Sequence, residues 1–247
     1  KKIKVAFQGE MGAYSHLACL EIFPNAETKA CATFEEAFRL ASNDSEFKII
    51  IPIENSLAGR VADIHYLIPK YKLQIHAEHF QKVAHNLLGI KGATIKDIKN
   101  VRSHAQAIGQ CSKMIFNNKL KPIISADTAG SAKFVAEQKD KKESAIASDL
   151  AAKIYNLDII KSNVEDESEN VTRFFIMGKD SKHPELKKNK YITSCIFKLK
   201  SIPAALYKAL GGFATNGVNL CKLESFSVKN TFDQVNFYID IEGHIED

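Results

Sequence analysis

The chain has 247 residues, 45% of them hydrophobic by type, with 34 basic and 29 acidic side chains for a net charge of +5. That is enough apolar material for a large core and for more than one domain. The basic residues gather in runs such as 139–142 and 187–190, as in solvated loops, and there is no Trp. With no interleaving of basic and aromatic residues, no nucleic-acid partner is expected. No stretch is long enough to span a membrane. The apolar run Ile3–Phe7, interrupted by Lys4, is too short for the core of a signal peptide. Cys19, Cys31, Cys111, Cys195 and Cys221 are odd in number and lack a C-x-x-C pair. Reduced thiols in a cytoplasmic protein are expected, not a disulfide framework or a zinc site. The histidines show no metal-ligand spacing.

In chain order, Ile3–Phe7 reads as a strand leading through Gly9 and Gly12 into a helix that ends near Ile22. Two glycines before a helix let the backbone approach an anion closely, or simply make a tight turn; the spacing leaves both open. Thr33 caps a helix over about Phe34–Ser42, with Phe34, Ala37, Phe38 and Ala41 on one face. The unbroken apolar run Ile49–Ile53 has the pattern of a strand buried in a parallel sheet. It delivers Glu54, Asn55 and Ser56 to its C-terminal end, before a helix expected from about Arg60 to Leu67. A helix cap needs only one of the three. Together they point to a ligand site, because open α/β sheets bind at that edge.

Strands are expected at Leu73–Glu78 and Val83–Ile90, a short helix or turn at Thr94–Lys99, and a strand at Val101–Ser103 leading into a helix that ends near Phe116. The strands Pro122–Ser125 and Ser144–Ser148 each precede a helix, through Glu137 and over Asp149–Tyr155. This repeated grammar predicts parallel strands whose loops converge on one edge. After an acidic run, Asn170-Val171-Thr172-Arg173 opens the apolar strand Phe174–Met177. The Arg donor fork suits a carboxylate, although a capped strand with a surface Arg fits this stretch as well when it is read alone. Residues 179–190 read as a charged linker. A strand at Tyr191–Lys198, a helix over Pro203–Ala214 with Pro203 in its first turn, and strands at Val218–Val228 and Phe232–Ile241, joined near Lys229–Asn230, begin a ferredoxin-like β-α-β-β module.

The segments FQGEMGAYS (7–15), IPIENSLAGRV (51–61), SHAQAIGQC (103–111), DTAGSA (127–132) and NVTRF (170–174), in this order, resemble the prephenate dehydratases. FATNGVNLCKLES (213–225) resembles part of a regulatory ACT domain. The resemblance covers essentially the whole chain. It implies a two-lobed α/β catalytic region similar to type 2 periplasmic binding proteins over residues 1–178. One lobe would take about 1–74 and 163–178, the other about 75–162. A linker at 179–190 and a partial ACT domain at 191–247 would follow. It further implies conversion of prephenate to phenylpyruvate in phenylalanine synthesis, in a cleft between the lobes, without cofactor or metal, in a homodimer or homotetramer.

The same resemblance makes Thr172 the residue most tied to activity, with Glu54, Asn55 and Gln106 as its catalytic neighbours. Glu54 would be a general acid or a partner that orients Arg173. Ser56, Ser103, His104, Thr128, Gly130, Ser131, Ala132, Arg173 and Phe174 would hold the substrate, with Arg173 taking a carboxylate. Ala204, Ala205, Leu206, Glu224 and Ser225 would meet a regulatory L-phenylalanine. Here the chain departs from the family: Glu224-Ser225-Phe226-Ser227 replaces Glu-Ser-Arg-Pro, and Ala204-Ala205-Leu206 replaces Gly-Ala-Leu. Ala105 and Glu10 stand where Pro is frequent. The module's second helix and last strand are not reached by Asp247, so an exposed sheet edge is expected, covered by a partner or left by a shortened copy. Arogenate dehydratase would use the same site. A two-lobed amino-acid or solute-binding protein without catalysis is the alternative from another class.

Overall fold

The computed structural model describes residues 2–61, 64–179, 183–227 and 235–246. The chain divides into two compact units, one of Lys1–Ile64 with Tyr71–Ser181, the other of His65–Lys70 with Lys182–Asp247.

The chain enters the first unit through β1 (Lys4–Gln8), α1 (Tyr14–Ile22), β2 (Glu27–Cys31), α2 (Phe34–Asn43), β3 (Phe47–Asn55) and β4 (Gly59–Arg60) and, after α3 (Ile64–Tyr71), whose residues His65–Lys70 belong to the second unit, resumes it with β5 (Gln74–Lys82). It continues through β6 (Asn86–Gly89), β7 (Asn100–His104), α4 (Ala105–Gln110), α5 (Ser112–Asn117), β8 (Lys121–Ser125), α6 (Thr128–Gln138), β9 (Glu143–Ala147), α7 (Asp149–Ile154), β10 (Asp158–Lys161) and β11 (Val171–Gly178). A 6-stranded sheet runs β2-β1-β3-β11-β5, with β4 folded back on β3, and a 5-stranded sheet runs β10-β6-β9-β7-β8.

Both sheets are mixed rather than parallel. β1 lies parallel to β2 and β3, and β7 parallel to β8 and β9. β11 runs antiparallel to both β3 and β5, β6 antiparallel to β9, and β10 antiparallel to β6. Parallel pairing holds where a helical crossover returns the chain to the same end. The strands that carry the chain between the two sheets run the other way.

The lobe boundary also moves. β5 pairs with β11 along its whole length, from Gln74 opposite Gly178 to Lys82 opposite Val171. The first sheet therefore keeps the chain to Lys82 rather than about Gln74. The polar stretch His79-Phe80-Gln81 hides this in the sequence, because an edge strand need bury little. β2 escapes sequence reading for the same reason: its residues Glu27–Cys31 are mostly exposed or half-buried.

Local chemistry explains the other shifts. Arg60 does not start a helix; Asn55 and Glu54 pair with Gly59 and Arg60 across a tight turn, and Gly59 takes φ +81°. The helix begins at Ile64 instead. The single helix expected to end near Phe116 breaks at Cys111 into α4 and α5. There Asp166 accepts from Ser112 Oγ at 2.6 Å and from the Lys113 N–H at 3.1 Å, capping α5. Thr94–Lys99 is a turn, with Asp97 accepting from the Thr94 N–H and hydroxyl. Thr33 does cap α2, accepting from the Glu36 N–H at 3.1 Å.

One core cluster joins Val5, Phe7, Ala18, Cys19, Ile50, Phe174 and Ile176. In the second sheet the neighbours Leu87 and Leu88 enter separate clusters on opposite faces, as strand alternation requires.

The second unit holds β12 (Ile192–Lys198), α8 (Ala205–Thr215), β13 (Leu220–Ser227) and β14 (Val235–Glu242) as a 3-stranded antiparallel sheet ordered β12-β14-β13. Ala204 caps α8 in the left-handed region at φ 62°, so Pro203 precedes the helix rather than sitting in its first turn. The expected junction near Lys229–Asn230, and the strand start at Phe232, lie outside the described residues. The buried His65 belongs to this unit, its Nε2 3.2 Å from a Glu224 carboxylate oxygen and its ring edge-on to Phe226 and Tyr238. Among the described residues no helix is long and apolar enough to cross a membrane.

Candidate active site

The register of β3 and β11 decides which side chains meet. Asn55 lies opposite Thr172, and Glu54 opposite Arg173. Directly paired residues share a face and successive ones alternate, so Asn55 and Thr172 face one way and Glu54 and Arg173 the other. Thr172 lies inside the ladder, since β11 begins at Val171.

On the first face, Asn55 Nδ2 donates to Thr172 Oγ1 at 3.0 Å and to Asn170 Oδ1 at 2.7 Å. Asn55 Oδ1 accepts from the N–H groups of Leu57 and Ala58, both at 3.0 Å. Thr172 Oγ1 thus accepts a hydrogen bond from Asn55 and keeps its own proton for a further acceptor. Ser56 is used by the backbone: its hydroxyl donates to Glu169 O at 2.8 Å and accepts from the Val171 N–H at 2.9 Å. It ties the acidic loop to the strand rather than reaching for a substrate.

On the second face the buried Arg173 donates from Nε to Glu78 at 2.7 Å and from Nη1 to Glu54 at 3.2 Å, with its guanidinium carbon 5.0 Å from the Phe175 ring centre. The fork expected to take a substrate carboxylate is held by two protein carboxylates. Of the two readings of Glu54, a general acid or a partner that orients Arg173, the geometry fits the second: it lies on the face away from Thr172 and is held by Arg173. Phe174 is 1% exposed within the core of the first sheet, so it supports β11 from beneath and does not line a site.

The glycines near α1 make a junction between the lobes. A Cβ on Gly12, at φ +94°, would lie 2.8 Å from Ala151 Cα on α7. Ser148 Oγ donates to Gly12 O at 2.6 Å, and Tyr155 OH to Met11 O at 2.8 Å. Of the two readings of this loop, the tight turn is the one realised, and close approach serves α7.

In the second lobe, Ser103 is fully buried and donates to Ile146 O at 2.7 Å. Ser131 donates to Asp127 O at 2.7 Å, and Ala132 lies in the core. The Gly130 N–H is taken by Asp127 Oδ1, which caps α6. A Cβ at Gly130 would lie 2.7 Å from that carboxylate, so a larger residue there would push on the cap. These four therefore serve the fold. Thr128, half-buried, opens α6, while the exposed His104 and Gln106 open α4 at the C-terminal end of β7.

Sequence reasoning passed over a set of polar groups that joins the two lobes. Asn170 Nδ2 donates to Gln110 Oε1 at 3.0 Å, and the same oxygen lies 2.8 Å from His85 Nε2. His85 Nδ1 lies 2.7 Å from Tyr14 OH, which also reaches Ala84 O at 2.9 Å. Burial pushes the His85 pKa down, against opposing effects of Gln110 and Glu165, and pushes the Tyr14 hydroxyl well above its ordinary value. Cys111 next to Gln110 is pushed up to about 12 by burial, which keeps it a thiol. Each of Tyr14, Gln110 and Asn170 sits in a recognised segment, but only the fold shows that they touch. Gln106 precedes Gln110 by one helical turn, ~6 Å along the axis of α4, so the exposed Gln106 extends the same face outward. Among the described residues, no group of three His, Cys, Asp or Glu side chains is arranged to hold a metal ion.

Residues 5–182 match the model of the family described as prephenate dehydratase. The chain is 42% identical to a Komagataeibacter europaeus protein named bifunctional N-acyl-homoserine lactone acylase/prephenate dehydratase, over 98% of this chain and 86% of that one. It is 38% identical to arogenate dehydratase/prephenate dehydratase 1 of Arabidopsis thaliana over 100% of its own length, and spans 66% of that relative. The crystal structure of a prephenate dehydratase from Arthrobacter aurescens in complex with L-Phe superposes with a TM-score of 0.90 at 26% identity, covering 98% of this chain and 81% of that one.

Proposed function

The chain belongs to the prephenate dehydratase family, and we propose that within its site Thr172 assists the leaving hydroxyl while Asn55 aims it. As an enzyme of that family it is a lyase that converts prephenate to phenylpyruvate, with loss of carbon dioxide and water, in phenylalanine synthesis. Prephenate is a dianion whose ring hydroxyl and ring carboxylate leave from opposite ends of the ring. Their departure makes the ring aromatic, so the products lie far downhill. The protein's task is to hold the dianion and to help hydroxide go, by positioning and by hydrogen bonding to the charge that develops.

The observation that carries this reading is the 3.0 Å hydrogen bond from Asn55 to Thr172 Oγ1. An unperturbed alcohol is a poor acid, so a full proton transfer from threonine is not required. A positioned O–H aimed at the departing oxygen contributes about 3 kcal/mol to the transition state, the scale of one preorganised donor. Gln106, exposed above Gln110, is placed to contact the substrate. So are His104 and Thr128, at the first turns of α4 and α6. Arg173 and Glu54 act as a brace behind the site.

The two lobes, joined through a returning strand, fit a type 2 periplasmic-binding-protein-like arrangement. Residues 192–242, with strand order β12-β14-β13 and one helix, fit a partial ACT-type regulatory module. Its effector is L-phenylalanine, which the Arthrobacter aurescens structure contains. Ala204, Ala205 and Leu206 open α8 while Glu224 and Ser225 lie on β13, so an effector held by both groups bridges helix and sheet. We place the protein in the cytoplasm, as a homodimer or homotetramer.

Incubating the purified chain with prephenate, and separately with arogenate, tests the activity and the substrate preference. Phenylpyruvate formed from prephenate at a rate well above the spontaneous one supports the reading. Phenylalanine formed from arogenate alone would move the preference to the amino acid. Repeating the assay with L-phenylalanine present reads the effector.

A further inference from the structure

The polarity of the hydrogen bonds behind Thr172 follows from one fixed point. Asn55 Oδ1 accepts from two backbone N–H groups, Leu57 and Ala58, and backbone N–H groups can only donate. The Asn55 amide therefore cannot be turned over. Its nitrogen must face Asn170 and Thr172, so Asn170 presents Oδ1 to Asn55 and Nδ2 to Gln110. Gln110 must then present its oxygen to Asn170, and the same oxygen faces His85 Nε2. Two acceptors cannot bond each other, so His85 carries a proton on Nε2. In the neutral ring Nδ1 is then an acceptor, and the single Tyr14 O–H proton is shared between Nδ1 at 2.7 Å and Ala84 O at 2.9 Å. Amide orientation and tautomer, which are open questions for an isolated side chain, are settled here by accounting from Leu57 and Ala58.

We propose that Gln110 is a positioning residue for the reaction: its side-chain oxygen, held from the second lobe by His85, fixes Asn170, and through Asn170 and Asn55 it fixes the direction of the Thr172 proton. Gln110 touches neither Thr172 nor the space in front of it; it acts two residues away. Asn170, buried between them, has no water to fall back on. Loss of the Gln110 acceptor leaves Asn170 Nδ2 without its partner. Asn170 then turns, and Asn55 loses its 2.7 Å acceptor and keeps only its backbone partners, so its nitrogen still faces Thr172 but the hydroxyl is aimed less tightly. The inference rests on Thr172 being the assisting group, and the experiment separates the failure of one from the failure of the other.

Gln110→Glu keeps an acceptor for both Asn170 and His85. Gln110→Met keeps the length but offers at most a weak acceptor. The expected result is a kcat within about threefold of wild type for the Glu variant and a loss of about tenfold or more for the Met variant, at unchanged KM. Nitrogen-15 spectra of the imidazoles give a readout independent of turnover: His85 stays protonated on Nε2 in wild type and Gln110→Glu, and loses that preference in Gln110→Met. In a Thr172→Ala background the Met substitution should change kcat by less than about twofold, because its route runs through the missing hydroxyl. Equal losses in the Glu and Met variants, an unchanged His85 tautomer in the Met variant, or a further tenfold loss on top of Thr172→Ala would each overturn the proposal. A Thr172→Ala enzyme with normal turnover would instead overturn the role of Thr172. If Gln110→Met does not fold, Asn170→Leu removes both the acceptor of Asn55 and the donor to Gln110 and should produce the same kcat loss and tautomer change; its failure to do so overturns the proposal equally.

Discussion

The two faces of the β3–β11 pair carry polar side chains from the same short stretch of the two strands and do opposite things. On one, Asn55 and Thr172 meet with a single neutral hydrogen bond and leave a hydroxyl proton unspent. On the other, Glu54 and Arg173 meet with Glu78 beside them, and charge is matched within the protein. The charged residues are thus paired with one another across the strands, while a neutral hydroxyl is the group that keeps a proton to donate. A strong charge near a site is useful to a substrate only if the protein has not already neutralised it.

Breaking the first face should give the largest effect. Thr172→Ala is expected to lower kcat by about 10²-fold or more, the scale of a lost positioned donor, with the melting temperature unchanged. Steady-state kinetics beside a thermal melt check this, and near-normal turnover would return Thr172 to an ordinary strand residue. Asn55→Asp is the subtler cut. The carboxylate still accepts from Leu57 and Ala58, so the turn survives, but nothing donates to Thr172 Oγ1 or Asn170 Oδ1. A loss of ~10-fold or more in kcat is expected, with circular dichroism unaltered. A variant that kept full activity would show that the aim of the hydroxyl does not matter.

Breaking the second face should cost stability instead. Arg173→Met leaves Glu54 and Glu78 without their guanidinium and is expected to destabilise by about 2 kcal/mol in chemical denaturation. That is less than for a fully buried pair, because both carboxylates keep about a third of their side-chain surface in solvent. KM for prephenate should stay within a few-fold of wild type; a tenfold rise would put Arg173 back in contact with the substrate.

The smallest effect lies outside both faces. His16, buried against Phe7, and His85 both have pKa values lowered by burial. Unfolded histidine titrates near ~6.5, so as pH falls through that value the unfolded chain takes up protons that the folded one refuses. Stability should therefore rise with pH through that window and fall below it, until the folded-state pKa values are passed. Denaturation curves between pH 5 and about 7.5 read the slope, and a flat profile would mean that both rings charge freely in the folded state.

Much of this was legible in the linear chain. The helix capped by Thr33, the apolar β3 and the helix opened by Asp127 follow from patterns a few residues long, whose physics is local. The family followed from five short segments in order, and the same segments singled out Thr172. The antiparallel course of β11 was not legible, because an apolar run has no direction written in it. Nor was the fate of Arg173: its partners Glu54 and Glu78 are 119 and 95 residues away, and only their pairing turns a candidate anion fork into a brace. Ser103, Gly130, Ser131, Ala132 and Phe174 stood in recognised segments for structural reasons that a motif does not distinguish from binding.

The sequence by itself determined which groups are present, the segments whose caps and apolar patterns are local, and to which family the chain belongs, because each of these depends on residue identity and short spacing. Tertiary structure alone decided which face of β11 each group occupies and which hydrogen bonds are already satisfied. Those depend on strand register, and register is a property of two segments at once. Thr172 was visible as a residue from the start; that its oxygen is filled by Asn55 and its proton is left over could be known only once β3 lay beside β11.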